Sequence, residues 1–297
     1  MRPTGWIIYN GSLKGNSFMD YAVMLQQAAH LQGSDAKIIS NDDILAFLCS
    51  EQLNLVKSES FSSPDYILFT DKDIYLARQL ELLGMKVFNR ADAIALSDDK
   101  IAAYQRLAQH ELPIPDTIIA PKVFNTYDWE KFAYADQVIE KLGFPMIIKE
   151  AFGSFGEQVY LVENKQALLE KMQQLHGKSF IFQEFIATSF GKDIRLQVVG
   201  EQVVAAMKRS AKSDFRANVT AGAQMERYEP SKVEKQIAIA ASKAIGTDFA
   251  GVDLLFADSG PVICEVNSNA HIRNLYNCTS INAADYIVSY VLQHIQS

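Results

Sequence analysis

Two acidic residues on neighbouring strands give this 297-residue sequence its clearest chemical signal. The stretch 249–269 reads as two apolar, β-branched runs with turn residues at Asp258-Ser259-Gly260 between them, which is a hairpin pattern. Pairing the runs about that turn places Asp253 opposite Glu265, and Asn267 follows two residues along the same face. Carboxylates directly across a strand pair repel each other unless a cation lies between them. These hard oxygen ligands favour a Mg²⁺ or Mn²⁺ site.

The residues alone leave two alternatives to a metal site open. The acidic face could be a solvated surface, or one carboxylate could be held protonated. The opposite face of the hairpin is expected to be apolar, with these residues sharing it: Val252, Leu254, Phe256, Val262, Cys264 and Val266.

A lysine followed by a glycine loop suggests a phosphate site. Lys149 ends the apolar strand pattern 146–149, and Gly153-Ser154-Phe155-Gly156 follows four residues later. Backbone N–H groups of such a loop can close around phosphate oxygens, and a strand lysine can pair with them. The loop is not a P-loop because no G-K-[ST] follows, and a plain turn is the alternative.

The run Phe180–Ile186 ends in an acceptor beside apolar side chains. Glu184 and the backbone could hydrogen-bond an adenine edge while Phe185 and Ile186 form its walls. A buried sheet strand without ligand contacts is the alternative interpretation.

Basic residues concentrate between positions 192 and 216 in a chain whose net charge is −7. Such a local excess is typical of an anion site, since arginine binds phosphate and carboxylate bidentately. A solvated charged face is the alternative. The cluster comprises Lys192, Arg195, Lys208, Arg209, Lys212 and Arg216.

The elements that must position these residues begin with a β-α-β pattern. The first 90 residues predict a small unit with a parallel sheet, including a second helical stretch around Asp43–Phe47. A helix is also predicted over Tyr127–Leu142. No G-x-G-x-x-G fingerprint follows the first strand, so a dinucleotide site is not expected there.

Composition excludes several classes of function. Hydrophobic residues make up 48% and charged residues 21%, an ordinary folded balance, and the acidic net charge argues against nucleic-acid binding. No apolar run approaches a membrane span, and the N-terminal apolar run is too short for a signal peptide. Three cysteines without a C-x-x-C pair are typical of reduced thiols, so a cytoplasmic location is expected.

Taken in order, these segments resemble the ATP-grasp ligases and, within them, the RimK-like α-L-glutamate ligases. The resemblance covers residues 90–269 well and both ends more loosely. No single piece is specific, but the ordered set is. The matching segments are Leu96–Lys100, Met146–Gly156, Gln183–Ile186, Asp193–Val199, Ala205–Arg209, Asp214–Asn218 and Ala250–Asn269.

The resemblance implies that ATP and Mg²⁺ (or Mn²⁺) bind between two α+β lobes. It implies phosphate contacts from Lys100, Lys149 and the loop Gly153, Ser154, Phe155 and Gly156, adenine contacts from Glu184, Phe185 and Ile186, a ribose contact from Asp193, metal ligation by Asp253, Glu265 and Asn267, and catalytic roles for Arg195, Lys208, Arg216 and Asn218.

It further implies a mixed α/β and α+β chain with the ATP-grasp fold in three parts. These are an N-terminal parallel α/β (pre-ATP-grasp) domain over 1–90, an ATP-grasp N-terminal lobe with the glycine loop over 91–186, and a C-terminal lobe with the metal site over 187–297. The implied reaction joins an amino acid to a carboxylate-bearing small molecule or peptide through an acyl phosphate. No nucleic acid or membrane partner is implied, and a homo-oligomer stays open.

Two departures from the family pattern concern substrate identity. Glu157-Gln158 stands where the glycine loop often carries a third glycine, and residues 269–273 replace a common Ser-Pro-Gly. We hypothesise that Arg273 binds a substrate carboxylate and that His271 deprotonates or orients the amine, with Arg209 as a further substrate residue. Surface residues on a loop are the alternative.

Three functions compete. The first is a ligase that adds an amino acid, in particular glutamate, to a peptide, protein or small acid. The second keeps the ATP site but makes a free dipeptide or modifies a cofactor. The third, a nucleotide-binding regulator without turnover, is disfavoured because Glu265, Asn267 and Lys149 are all present.

Overall fold

The computed structural model describes residues 2–13, 15, 17–58, 62–123, 134–154, 156–217 and 222–295. Within these ranges the strands form one four-stranded parallel sheet, two antiparallel sheets of four and five strands, and a separate two-stranded hairpin. This mixture confirms the expected α/β and α+β fold class.

The N-terminal sheet is parallel, as predicted. Its elements are β1 (Thr4–Tyr9), α1 (Ser17–Leu31), β2 (Asp35–Ser40), β3 (Ile44–Leu48), β4 (Leu53–Lys57), β5 (Tyr66–Phe69), α2 (Ile74–Leu82), β6 (Val87–Phe88) and α3 (Ala91–Asp98). The strand order is β2-β1-β5-β6, so β2 lies on one side of β1 and the later strands β5 and β6 lie on the other side. Loops after these strands therefore meet at one edge of the sheet.

The helix predicted around Asp43–Phe47 is wrong. Residues 44–48 instead form β3, which pairs antiparallel with β4 from Ile44↔Lys57 to Leu48↔Leu53. Ile44 is buried, whereas Leu45 and Phe47 are exposed. A five-residue apolar run is compatible with either structure, and the partner strand decides it.

The second sheet lies in the middle of the chain. Its elements are α4 (Lys100–Gln109), β7 (Thr117–Ile119), α5 (Ala135–Leu142), β8 (Met146–Glu150), β9 (Val159–Val162), α6 (Lys165–Gln174) and β10 (Phe180–Glu184). The sheet is antiparallel in the order β7-β10-β8-β9, and α5 and α6 share an apolar core with it. The helix predicted over Tyr127–Leu142 is observed from Ala135, and residues 124–133 lie outside the described ranges.

The third sheet carries most of the acidic and basic residues singled out above. Its elements are β11 (Lys192–Val199), β12 (Gln202–Ser210), β13 (Gln224–Arg227), α7 (Lys232–Ile245), β14 (Phe249–Ala257), β15 (Gly260–Asn267), α8 (Arg273–Thr279) and α9 (Ala283–His294). The order is β13-β12-β11-β14-β15. Helix α7 packs on one face of this sheet, and Val199, Ala205 and Met207 of the other face join the apolar core that contains α9.

One apolar core joins the beginning and the end of the chain. Tyr21 and Leu25 of α1 pack with Ile287 and Val288 of α9, and Phe249 of β14 belongs to the same cluster. The proposed division at residues 1–90, 91–186 and 187–297 places one large sheet in each part, and it stays a prediction. In the part of the chain that the structure describes, no helix has the length and apolar character needed to cross a bilayer.

Candidate functional site

The predicted register of the acidic hairpin is confirmed. Asp253 pairs with Glu265 and Gly251 with Asn267 across β14 and β15. The register then shifts between Asp253 and Leu254, so Leu254 pairs with Ile263. This bulge corrects two members of the expected apolar face. Ile263 takes the place of Cys264 opposite Leu254, and Val262 pairs with Leu255 instead of sharing the face of Leu254 and Phe256.

Asp253 is an ionised carboxylate held by two arginines. Its Oδ1 accepts from Arg195 Nε at 2.7 Å, and its Oδ2 accepts from Nη2 of Arg195 at 2.6 Å and of Arg209 at 2.9 Å. Burial alone would raise the pKa of Asp253, but these guanidinium groups outweigh it and lower the pKa. The residue is only 4% exposed.

Arg209 is buried between two carboxylates, an arrangement that does not favour the substrate contact predicted for it. Its Nε and Nη2 donate to the two oxygens of Asp193 at 2.6 Å each, and the residue is 7% exposed. Arg209 thus bridges Asp193 and Asp253 beneath the surface. Asp193 is correspondingly occupied, so a ribose contact would have to share its carboxylate with Arg209.

Lys208 lies on the other face of the sheet from Arg209. Successive residues of a strand point to opposite faces, and Lys208 pairs across the strands with Ile194 and with Glu226, whose Oε1 is 3.0 Å from its Nζ. Strand alternation in the sequence already separates Lys208 from Arg209. Lys208 therefore takes no part in the mechanism proposed below.

Lys149 is buried at the side of the acidic hairpin. Its Nζ donates to Tyr104 Oη at 3.2 Å and lies 3.8 Å from Cys264 Sγ. Burial disfavours the ammonium, but attraction from Cys264, Tyr104 and Glu265 outweighs it and keeps the pKa of Lys149 above its ordinary value. Tyr104 also donates to the Cys264 carbonyl at 2.6 Å, which fixes the bulge to α4.

The glycine loop between β8 and β9 is held from two sides by cations. Lys100 Nζ donates to the Gly153 carbonyl at 3.1 Å, and Arg216 Nη1 donates to the Gly156 carbonyl at 2.7 Å. Arg216 is itself aligned by both oxygens of Asp214. The same Lys100 Nζ is 3.6 Å from Glu265 Oε1, so it links the glycine loop to the acidic hairpin.

Two predicted site residues, Phe155 and Asn218, lie outside the described ranges. The predicted adenine residues lie at the end of β10 and directly after it. Glu184 ends β10, is exposed and accepts from the Asp116 N–H at 3.3 Å. Ile186 is buried, and the half-buried Phe185 ring meets Phe190 edge to face at 6.3 Å.

The 269–273 loop contacts the N-terminal helix rather than open solvent. Arg273 Nε and Nη2 donate to the two oxygens of Asp20 at 2.8 and 2.7 Å, and both side chains are partly exposed. His271 meets the Phe18 ring edge to face at 4.7 Å. Burial, with repulsion from Arg195, lowers the pKa of His271, so its imidazole is neutral at neutral pH.

Sequence reasoning missed the residues that support the site from behind. Asn89 and Ser97 bind backbone groups on both sides of the acidic hairpin: Ser97 Oγ donates to the Val266 carbonyl at 2.7 Å and accepts from the Ser268 N–H at 3.0 Å. Tyr104 and Asp20 act on Lys149 and Arg273 as described above. A polar residue among apolar ones gives no local signal of a partner more than 150 positions away.

The acidic hairpin fits a magnesium ion. A carboxylate offers about four acceptor positions, and the arginines fill three on Asp253, so one remains. Glu265 is 32% exposed in its side chain, and Asn267 Nδ2 turns to the Gly251 carbonyl at 3.5 Å. Across the described ranges no three His, Cys, Asp or Glu side chains converge, so a metal set here depends on the Asn267 amide.

Comparison with known proteins agrees with this architecture. A solved RimK-domain ATP-grasp protein from Sphaerobacter thermophilus superposes with a TM-score of 0.72 at 21% identity, over 98% of this chain and 99% of that one. A Legionella pneumophila protein named probable alpha-L-glutamate ligase is 36% identical over 72% of this chain and 69% of its own length. Human N-acetylaspartylglutamate synthase A is 33% identical over 75% of this chain and 56% of its own length.

A glycine loop from one antiparallel sheet and an acidic hairpin from another, linked by Lys100, are the site of an ATP-grasp ligase, an enzyme that forms carbon–nitrogen bonds at the expense of ATP. The model of the RimK-like ATP-grasp domain matches residues 97–291. The chain belongs to the RimK-like ATP-grasp family.

Proposed function

We propose that this ligase adds glutamate to a carboxylate-bearing acceptor, in the cytoplasm and with ATP and Mg²⁺. One contact set carries the assignment of the site: Lys100 Nζ reaches both the glycine loop, at Gly153, and the acidic hairpin, at Glu265. Phosphates under that loop would therefore lie beside the carboxylate that would hold Mg²⁺. The name of the Legionella relative supports glutamate as the added amino acid.

The residues around the loop would bind and orient the nucleotide. Lys100, Lys149 and Arg216 place positive charge along the path of the phosphates. Glu265, Asn267 and the remaining acceptor position of Asp253 would hold Mg²⁺, which neutralises phosphate charge when bound. Arg195 keeps Asp253 ionised and fixed in place.

The reaction then needs two displacements. A carboxylate oxygen of the acceptor attacks the γ-phosphorus and the bond to ADP breaks, giving an acyl phosphate. The amine nitrogen of the amino acid attacks the acyl carbon, the bond to phosphate breaks and the amide forms. The nitrogen must lose a proton, and His271 is the residue proposed to receive it or to orient the amine, a role that its lowered pKa supports because the imidazole is then neutral.

The second candidate keeps this chemistry with a different product. The relative named N-acetylaspartylglutamate synthase A supports a small acidic molecule as acceptor instead of a peptide or protein. A free dipeptide product is the further form of this alternative. Product mass separates these cases, because each acceptor leaves a different mass increment.

The test is ADP release by the full chain in a screen of amino acids and carboxylate acceptors with ATP and Mg²⁺. We expect ADP release only when both an amino acid and an acceptor are present, and a product mass equal to their sum minus water. ADP release that needs neither substrate would contradict the ligase assignment.

Glu265→Gln tests the metal site. The amide has the same shape but lacks the negative charge, so we expect turnover to fall at least a hundredfold, with unfolding temperature unchanged within a few degrees. Turnover equal to wild type in this variant would exclude Glu265 as a metal ligand.

A further inference from the structure

A third cation contacts the glycine loop, and it comes from the N-terminal sheet. Lys72 follows β5 at the edge where the loops after the parallel strands meet. Its Nζ donates to Ser154 Oγ at 3.2 Å and pairs with Asp98 at the end of α3. Lys72 thus donates to the glycine loop at Ser154, as Lys100 does at Gly153 and Arg216 does at Gly156.

We propose that Lys72 is a phosphoryl-binding residue that the N-terminal domain supplies to the ATP site. This inference rests on the proposed ATP-dependent function. An ammonium has three donors, and Lys72 uses two, on Asp98 and Ser154, so one N–H remains for an anion. Ser154 Oγ accepts from Lys72, which turns its own hydroxyl proton towards another acceptor.

The position of Lys72 favours the terminal phosphoryl group over the inner ones. Lys149 lies in the strand that precedes the glycine loop, whereas Lys72 approaches the loop from the N-terminal domain. The acceptor must reach the transferred phosphoryl from outside the nucleotide. In this proposal the Lys72 ammonium, which reaches Ser154 from outside the strand that carries Lys149, stabilises the transferred group by its charge.

The ion pair with Asp98 suggests a purely structural role for Lys72, and mutation can distinguish that role from phosphoryl binding. Lys72 could serve only to fix the end of α3, with its Ser154 contact incidental. In that case Asp98→Asn, which breaks the same pair while leaving the lysine, would reproduce the effect of removing Lys72. If Lys72 binds the phosphoryl group, Asp98→Asn releases the ammonium and leaves or strengthens nucleotide binding.

The experiment compares the binding of two nucleotides to the full chain by titration calorimetry. The ligands are ADP and a non-hydrolysable ATP analogue, each with Mg²⁺, and the variants are Lys72→Met, Asp98→Asn and Lys165→Met. Lys165→Met is the matched control, because it also removes a lysine paired with an aspartate, Asp136. Lys165 follows the end of β9 that pairs with Met146, which is the end of β8 away from the glycine loop.

We expect Lys72→Met to weaken the ATP analogue about tenfold and ADP less than twofold, since one charged hydrogen bond to the γ-phosphoryl is lost. Asp98→Asn and Lys165→Met should bind both nucleotides at least as tightly as wild type. Lys72→Met binding the analogue like wild type, or Asp98→Asn weakening it equally, would overturn the inference. A wild-type chain that binds neither nucleotide would instead refute the proposed function itself.

Turnover gives a second readout that a structural role would not move. Lys72→Met should lower kcat at saturating ATP, whereas Asp98→Asn should not, and unfolding temperatures of the two variants should agree within a few degrees. Equal kcat losses in both variants would also assign Lys72 to structure alone.

Discussion

At the scale of single residues, two roles compete for Arg273: binding a substrate carboxylate and holding the 269–273 loop to α1. Its guanidinium is paired with Asp20 of α1, yet its side chain is 41% exposed. An arginine in this setting can bind a carboxylate or can clamp two elements together. The two tasks predict different kinetic effects for the two partners of the pair.

Arg273→Ala is expected to raise the Michaelis constant of the carboxylate substrate about tenfold, because a bidentate contact is lost, while that for ATP changes less than twofold. Asp20→Ala breaks the same ion pair but keeps the guanidinium, so it serves as the matched control. Steady-state kinetics with each substrate varied in turn would measure this. Equal constants in wild type and Arg273→Ala would rule out substrate binding by Arg273.

The buried carboxylate of Asp248 contributes to the pH dependence of stability. Asp248 Oδ1 accepts from Tyr290 Oη at 3.2 Å, and among the described residues Oδ2 has no hydrogen-bond partner. Burial raises the pKa of Asp248 to about 6 from an ordinary 3.8. The folded protein therefore holds this proton over a pH range where the unfolded chain has already released it.

Because the native state binds the proton more tightly, the contribution of Asp248 to the free energy of unfolding should fall as pH rises from about 4 to about 6, then level off. This contribution is about 1–3 kcal/mol. Asp248→Asn should remove it, and urea unfolding of both proteins across this pH range would show a difference that grows with pH. Exposed Glu170→Gln is the control, and an unchanged pH slope in Asp248→Asn would exclude Asp248 as its source.

Strand alternation explains which site residues the sequence predicted. The facing positions of Asp253 and Glu265 follow from a two-residue period and a recognisable turn, and both survive in the structure. The burial of Arg209 could not be predicted, because a charge pattern does not say whether an arginine meets a ligand or a carboxylate of its own sheet. The bulge that turns Cys264 toward Lys149 has no sequence signal either.

At the scale of elements, Asn89 joins the N-terminal sheet to the acidic hairpin. It is fully buried, and its Nδ2 donates to the carbonyls of Phe249 at 2.9 Å and Ser268 at 2.7 Å. Its Oδ1 accepts from the N–H groups of Asp248 at 2.6 Å and Phe249 at 3.2 Å. The position that the sequence suggested as a boundary is thus a shared hydrogen-bonding centre.

Asn89→Ala should lower the free energy of unfolding by about 2–5 kcal/mol, since it leaves buried donors and acceptors without partners. Asn54→Ala removes an exposed asparagine and should change stability by less than about 0.5 kcal/mol. Denaturant unfolding of both variants would measure the difference. Equal stabilities would show that water replaces the Asn89 amide without cost.

At the scale of the whole molecule, α9 returns to cover α1. Ile287, Val288 and Val291 are fully buried in the cluster that also holds Tyr21 and Leu25. The contact between these two helices could not be predicted from local patterns, because an amphipathic face does not specify which partner will cover it. Stability of the N-terminal part therefore depends on residues from the other end.

Ile287→Ala should lower the free energy of unfolding by about 2–4 kcal/mol through loss of packing and a residual cavity. Amide protection should fall in α1 as well as α9, because both share the cluster. Tyr286→Ala, on the exposed face of the same helix, is the control and should leave protection of α1 unchanged. Hydrogen exchange measured by mass spectrometry would test this, and loss confined to α9 would contradict a shared core.

The pairing of α1 with α9 also bears on how the chain is made. Gln32, just after α1, hydrogen-bonds the backbone of Asp285 in α9, 253 positions later. At about 5–20 residues per second, a ribosome exposes α9 on the order of ten seconds or more after α1. During synthesis the apolar face of α1 therefore stays exposed until α9 is made and packs against it, so this face is a natural binding site for a chaperone.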